Sequence, residues 1–314
     1  MTIAVISHPA CRLHDMGDDH PERPSRLDAI EDQLISSGLS FVLHRRDAPR
    51  ATREDLQRVH GPAYIDRVFA TSPSTGAVHL DDETIMTPQT LEAALRAAGA
   101  VVQGVDMVMG GEASTVFCAV RPPGHHAEQR RAMGFCIFNN VAVGAAYALD
   151  VKGLERVAII DFDVHHGNGT EDIFKDDARV LFCSSFQHPF YPHSGADTDN
   201  PHILNLPFPA GTDGAVFRER VETGWLPDIE RFAPQLILIS AGFDGHVEDD
   251  IADMRLLEQD YAWITARLRE IATRHAEGHI VSVLEGGYAL SALGRSVVAH
   301  LKVFMEPVTQ TLSR

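Results

Sequence analysis

The sequence predicts an α/β fold: a single domain over residues 1–314 whose central, mostly parallel sheet of about eight strands is covered by helices on both faces. Three observations carry this expectation. Short runs of aliphatic and β-branched residues, such as Val157-Ala158-Ile159-Ile160, are apolar at successive positions, which suits strands buried on both faces. Stretches of helical periodicity separate those runs, as in a parallel sheet with helical crossovers. With 314 residues, 44% apolar and 23% charged, the chain can also bury a sizeable core.

Taken in order, residues 2–6 read as a first strand. A polar loop follows over 8–24; its His14, Asp18, Asp19 and His20 have the composition of a metal site, but such residues in a loop are more often simply solvated. A helix is expected over 25–37, stopped by Gly38, then a short strand over 41–44. Residues 52–60 open with Thr-x-x-Asp, the pattern of a capping box. Residues 71–84 form a polar loop containing Asp81-Asp82-Glu83. Small residues at helical spacing over 90–109 predict a long helix lying close on the sheet, and 115–120 is the next strand. An Ala-rich helix over 139–149 precedes strands at 157–160, 180–184 and 236–240, then a helix at 258–275 and a strand at 280–284. No repeat, low-complexity tract or linker divides the chain.

The formal charge of -17 disfavours a nucleic-acid or anionic membrane surface. Cys11, Cys118, Cys136 and Cys183 show no Cys-x-x-Cys spacing, so they read as reduced thiols of a cytoplasmic compartment. The first residues lack the basic start of a signal peptide, and no apolar run is long enough to span a membrane.

Residues 156–170 organise the rest. Asp161, Asp163 and His165 alternate at period two, so a continuing strand would aim all three the same way, toward one cation. Gly167 and Gly169 then permit a sharp turn. Three other predicted strands end in similar chemistry: Arg121-Pro122-Pro123-Gly124-His125-His126, Ser240-Ala241-Gly242-Phe243-Asp244-Gly245-His246 and Leu284-Glu285-Gly286-Gly287-Tyr288. In a parallel sheet these ends share one edge, where open α/β folds place their sites.

The four motifs in this order, with Gly134-Phe135-Cys136 after the histidine pair, resemble the histone deacetylase family of the arginase-deacetylase fold. Asn168, in His-His-Gly-Asn-Gly-Thr, is similar to the class II group, also common in bacteria. The resemblance implies zinc held by Asp163, His165 and Asp244, with ferrous iron suiting similar ligands. It implies that Asp161 holds His125 and that Asn168 stands behind His126. His126 would be general base and acid, with His125 contributing electrostatically, a division the sequence does not fix. A neutral Asn168 makes its histidine less basic than a carboxylate would. Tyr288 would donate its hydroxyl to the oxyanion, on a loop freed to swing by Gly286 and Gly287.

The resemblance further implies a substrate tunnel lined by Gly134, Phe135, Tyr191, Ile251 and Gly286. A structural K+ would lie beneath the zinc, on backbone oxygens of Asp161, Asp163 and His165 and the segment Ser184-Ser185-Phe186. Arg23 would stand by an inner acetate channel, or equally be an ordinary helix-start arginine; Asp81 or Asp82 would lie on the rim, and Glu248-Asp249-Asp250 read as a solvated acidic loop near the mouth. The implied reaction hydrolyses the acyl amide of an acylated lysine in a peptide or protein, or of a small acylated amine. Ile251 stands where a polyamine-preferring relative carries glutamate, which leans away from polyamines. An arginase-like binuclear hydrolase needs a bridging carboxylate that Asn168 cannot supply, and an inactive acyl-lysine-binding relative would lack a catalytic residue. Nucleic acid and membrane are not expected as partners; an oligomer is compatible.

Overall fold

The computed structural model describes residues 2–17 and 19–306, so Asp18 of the polar loop lies outside it. In chain order the elements are β1 (Ile3–Ser7), α1 (Ser25–Ser36), β2 (His44–Asp47), α2 (Arg53–Gln57), α3 (Pro62–Thr71), β3 (Val78–His79), β4 (Ile85–Met86), α4 (Thr90–Met109) and β5 (Thr115–Cys118). There follow α5 (Asn140–Asp150), β6 (Val157–Asp161), α6 (Asn168–Phe174), β7 (Val180–Gln187), β8 (Ile203–Phe208), α7 (Gly214–Gly224) and α8 (Leu226–Phe232). The chain ends its described course with β9 (Leu236–Ala241), α9 (Glu258–His275), β10 (Ile280–Leu284) and α10 (Leu290–Met305).

Eight strands form one sheet in the order β2-β1-β5-β10-β9-β6-β7-β8, and β3 with β4 makes a small antiparallel ribbon. Every neighbouring pair in the large sheet is parallel. The four strands that carry the motifs, β5, β10, β9 and β6, are therefore its four central neighbours. Their residues are buried throughout, which is why each reads as an unbroken apolar run. Helices α4 and α5 pack on one another and on these strands, while α1, α9 and α10 pack together as a second group. Helix α4 buries Ala93, Ala94, Ala97 and Ala98, whose small side chains allow the close approach expected of it.

Several boundaries moved. The strand expected over 41–44 runs instead at His44–Asp47, after a 3-10 turn at Leu39–Phe41. Its four residues are exposed, because this edge strand is held by backbone pairing to β1 and needs no apolar side chains. The strand β6 stops at Asp161, so Asp163 and His165 leave from bends and not from an alternating strand. The capping box at Thr52 and Asp55 formed as its spacing suggests. Among the described residues no helix is long and apolar enough to cross a membrane.

Candidate active site

The ends of β6, β9 and β10 meet around two carboxylates and an imidazole. Ligand-capable atoms of Asp163, His165 and Asp244 all lie within 4.8 Å of one another, and the three residues are buried. His165 Nδ1 is 3.0 Å from Asp163 Oδ1 and 3.3 Å from Asp244 Oδ2. Backbone N–H groups aim the carboxylates: Gly286 N donates to Asp163 Oδ2 (2.8 Å) and Val164 N to Asp244 Oδ1 (3.0 Å). Gly286 must be glycine here, since a Cβ would strike the carboxylates of Asp244 and Asp163. Asp244 Oδ2 is buried without a hydrogen bond. Burial and the charge of Asp163 push the Asp244 carboxyl up to about 6, because two anions so close resist joint ionisation. A divalent cation would relieve both the unpaired oxygen and the repulsion, so this donor set of two carboxylates and an imidazole fits one.

The tandem histidines follow β5 and are fixed from below by a buried acid. Glu285 Oε2 accepts from Gly124 N (2.6 Å) and His125 N (3.1 Å), and its Oε1 accepts from Ser240 Oγ (3.0 Å). Burial raises the Glu285 carboxyl to about 7. The two imidazoles lie 4.0 Å apart, with His125 Nδ1 2.9 Å from Asp161 Oδ2 and His126 Nδ1 2.7 Å from Asn168 Oδ1. Asn168 is oriented in turn, for its Nδ2 donates to Glu128 Oε1 (2.9 Å). Its oxygen therefore faces His126, which must bring a proton on Nδ1 and keep the Nε2 lone pair free. Burial depresses both rings, but Asp163 and Asp161 outweigh it at His125 and raise that ring well above the ordinary imidazole range. At His126 burial is reinforced by His125 and His165, which hold it well below.

A cavity of about 180 Å³ opens onto these groups. Phe135, Phe190, Tyr191 and Ile251 give it apolar walls, while His125, His126, His165, Gly134, Gly286 and Tyr288 also line it. The Tyr288 ring stands edge-on to Phe135 at 6.1 Å, and the Arg26 guanidinium lies 4.9 Å over its face.

The histone deacetylase domain model matches residues 20–304 of the chain. This protein belongs to the histone deacetylase family. An uncharacterized protein of Synechocystis is 40% identical over 306 residues, spanning 96% of this chain and 98% of the relative. The "Histone deacetylase-like amidohydrolase" of Pseudomonas aeruginosa is 39% identical over 277 residues, 86% of this chain and 73% of that protein. The crystal structure of the HDA15 HD domain matches with a TM-score of 0.92 at 32% identity, covering 98% of this chain and 89% of that one. The chain is thus a histone deacetylase-like amidohydrolase, and Asp163, His165 and Asp244 form its metal site.

Within this deacetylase site, all five residues expected to line the tunnel do line the cavity. Ser184 is register partner to Asp161, and Ser185 Oγ donates to the Asp161 carbonyl (3.4 Å), so the segment named for a monovalent ion lies alongside the metal strand. Arg23 is a correction: it is exposed. Glu22, in the loop before α1, and Arg26, in the first turn of α1, form a buried ion pair, and Arg121 also bonds Glu22. Of these two buried arginines, Arg26 is the one whose guanidinium lies over the Tyr288 ring. On the rim, Asp82 is exposed and Asp81 Oδ1 is spent on the N–H groups of Glu83 and Thr84, while Glu83 reaches the cavity lining. The acidic loop is not uniformly solvated either: Glu248 pairs with Arg295, and Asp249 is buried. Sequence reasoning passed over Glu128 and Glu285 as site residues and read Asp249 only as part of a solvated acidic loop near the mouth. Glu285 alone carried a signal, as the one carboxylate inside the Leu-Glu-Gly-Gly-Tyr strand end.

Proposed function

We propose that residues 1–314 act as one deacetylase domain that hydrolyses the acyl amide, most simply acetyl, of an acylated lysine side chain or related primary amine. The observation that carries this reading is the single cavity in which apolar walls lead to the metal trio, the paired histidines and Tyr288 together. Aromatic and aliphatic walls suit the methylene stem of lysine, which buries apolar length and keeps its polar end at the reacting groups. When bound, a divalent ion supplies Lewis acidity to the amide carbonyl and to a water molecule. Zinc and ferrous iron both suit the donors.

The chain's own groups do the rest. His126, with Nδ1–H committed to Asn168, takes a proton from the attacking water on Nε2. The Tyr288 hydroxyl donates to the carbonyl oxygen as that atom gains negative charge. His125, paired with Asp161, keeps a positive charge beside the reacting carbon. Return of a proton from a histidine to the amide nitrogen lets the C–N bond break, giving free amine and carboxylate. Ile251 offers no charge to a second ammonium, which leaves Glu83 as the one carboxylate of the lining among the described residues and leans toward lysine over polyamines. A monovalent ion on the carbonyls beneath the trio would be structural. Four buried, unpaired cysteines suit a reducing, cytoplasmic compartment.

The test is turnover of acyl-lysine reporters and acetylputrescine by the metal-loaded wild type beside Tyr288→Phe. Loss of one oxyanion donor should lower turnover by roughly 100-fold or more, with metal content unchanged. A preference for acetylputrescine would overturn the lysine assignment, and a loaded protein that hydrolyses nothing would point to a binding role.

A further inference from the structure

The backbone that presents Tyr288 is gripped from two sides by opposite charges. On one side Arg26 donates to the carbonyls of Gly287 (2.7 Å) and Glu285 (2.5 Å). On the other, Asp249 Oδ2 accepts from the N–H groups of Tyr288 (2.6 Å) and Ala289 (2.9 Å). Asp249 Oδ1 accepts from Ile251 N (3.2 Å). One carboxylate thus ties together the backbones of two cavity-lining residues, Tyr288 and Ile251.

This carboxylate is 5% exposed, so its three donors replace the water it has lost. Its own loop is braced: Asp249 N donates to the His246 carbonyl (2.9 Å), Glu248 pairs with Arg295, and Arg295 also holds Glu258 at the start of α9. The tyrosine loop, by contrast, has little to hold itself. Gly286 and Gly287 offer no side chains, and Gly287 adopts φ 120°, a left-handed conformation favouring glycine. Ala289 caps α10 without a side-chain hydrogen bond, so the acceptor at that helix start comes from Asp249, where a negative charge also suits the helix dipole.

We propose that Asp249 is a positioning residue for the reaction: it fixes the backbone of Tyr288, and thereby the place of its hydroxyl, in the same grip that fixes Ile251 on the cavity wall. The proposal rests on the reading of Tyr288 as oxyanion donor. A displacement on the order of 1 Å in a reacting group costs as much as 100-fold in rate, so the grip matters to turnover well before it matters to folding.

The experiment places Asp249→Ala and Asp249→Asn in the wild type and in Tyr288→Phe, all metal-loaded, with kcat, KM, bound metal and circular dichroism measured for each. In the wild-type background Asp249→Ala should lower kcat roughly 10- to 100-fold with metal content retained. In Tyr288→Phe, where no hydroxyl remains to misplace, the same change should cost less than about twofold, since residues acting through one group are not additive. Asp249→Asn, which keeps one acceptor oxygen, should show a smaller loss with the same dependence on background. Equal losses in both backgrounds would overturn the proposal, as would full activity of either variant in the wild type. Should Asp249→Ala fail to fold, Asp249→Asn makes the same comparison. Tyr288→Phe with undiminished turnover would instead remove the oxyanion reading, a result distinct from equal losses.

Discussion

His300 provides a quantitative check on the packing behind the site. It is fully buried on α10 among Phe117, Phe162, Phe243 and Phe304, two of which immediately precede the ligands Asp163 and Asp244. Thr265 Oγ1 donates to the Tyr261 carbonyl (2.6 Å), so it accepts from His300 Nδ1–H (2.6 Å), and Ser282 Oγ then donates to Nε2 (3.0 Å). Every capacity of the neutral ring is used, and burial pushes its pKa from 6.5 down to about 3. The unfolded chain takes up this proton near pH 6.5 and the folded chain only near 3, so the folded state's advantage is complete above 6.5 and erodes as pH falls. At about 1.4 kcal/mol per pH unit the full contribution is about 5 kcal/mol, of which ~3 kcal/mol is gone by pH 4. His300→Gln cannot titrate. Urea unfolding of both proteins between about pH 7.5 and pH 4 should therefore show the variant less stable at neutral pH and the gap closing by ~3 kcal/mol on acidification, with all shared titrations cancelling. Parallel profiles would refute the claim that His300 is buried neutral.

Two further perturbations test the metal site and the cavity mouth. Gly286→Ala places a methyl group against Asp244 and Asp163; competition with a chelator should show metal affinity weakened by roughly 10- to 100-fold, as for other disturbances just outside a ligand set, and unchanged affinity would mean the ion sits elsewhere. Ile251→Glu adds a carboxylate to the cavity wall and should raise kcat/KM for acetylputrescine relative to an acetyl-lysine peptide by about tenfold or more, the effect of 1.4 kcal/mol of ion pairing; an unchanged ratio would show that this wall does not meet the second ammonium.

The central strands were legible because burial on both faces writes itself as consecutive apolar residues, as at Val157–Asp161 and Ile280–Leu284. The edge strand His44–Asp47 was misplaced for the same reason in reverse: it answers to the free backbone of β1, and its polar side chains carry no sign of that. Helix α6 begins inside the Gly-Asn-Gly turn, and α7 and α8 follow a loop without a clear period, so none stood out locally. Helix α10 had an apolar periodicity that could have been read. Among site residues, Asp163 and His165 were legible because their chemistry is dense and follows an apolar strand, whereas Asp244 and the roles of the histidine pair came only through the resemblance to the family. Arg26 was lost to Arg23, three positions away, because composition cannot say which arginine of a helix start turns inward.

The sequence by itself determined the α/β class and the order of the motif strands through local periodicity, and its resemblance to the histone deacetylase family supplied the residue types of a metal-dependent amidohydrolase. Only the tertiary structure decided that β5, β10, β9 and β6 are neighbours, that Asp163 and His165 converge from bends after their strand has ended, and that Glu128 turns the Asn168 amide toward His126. It alone placed Glu285 beneath the histidines and Asp249 against the Tyr288 backbone. A carboxylate's role is set by which donors surround it after burial, and those donors come from segments up to 161 residues apart, as Gly124 and Glu285 are.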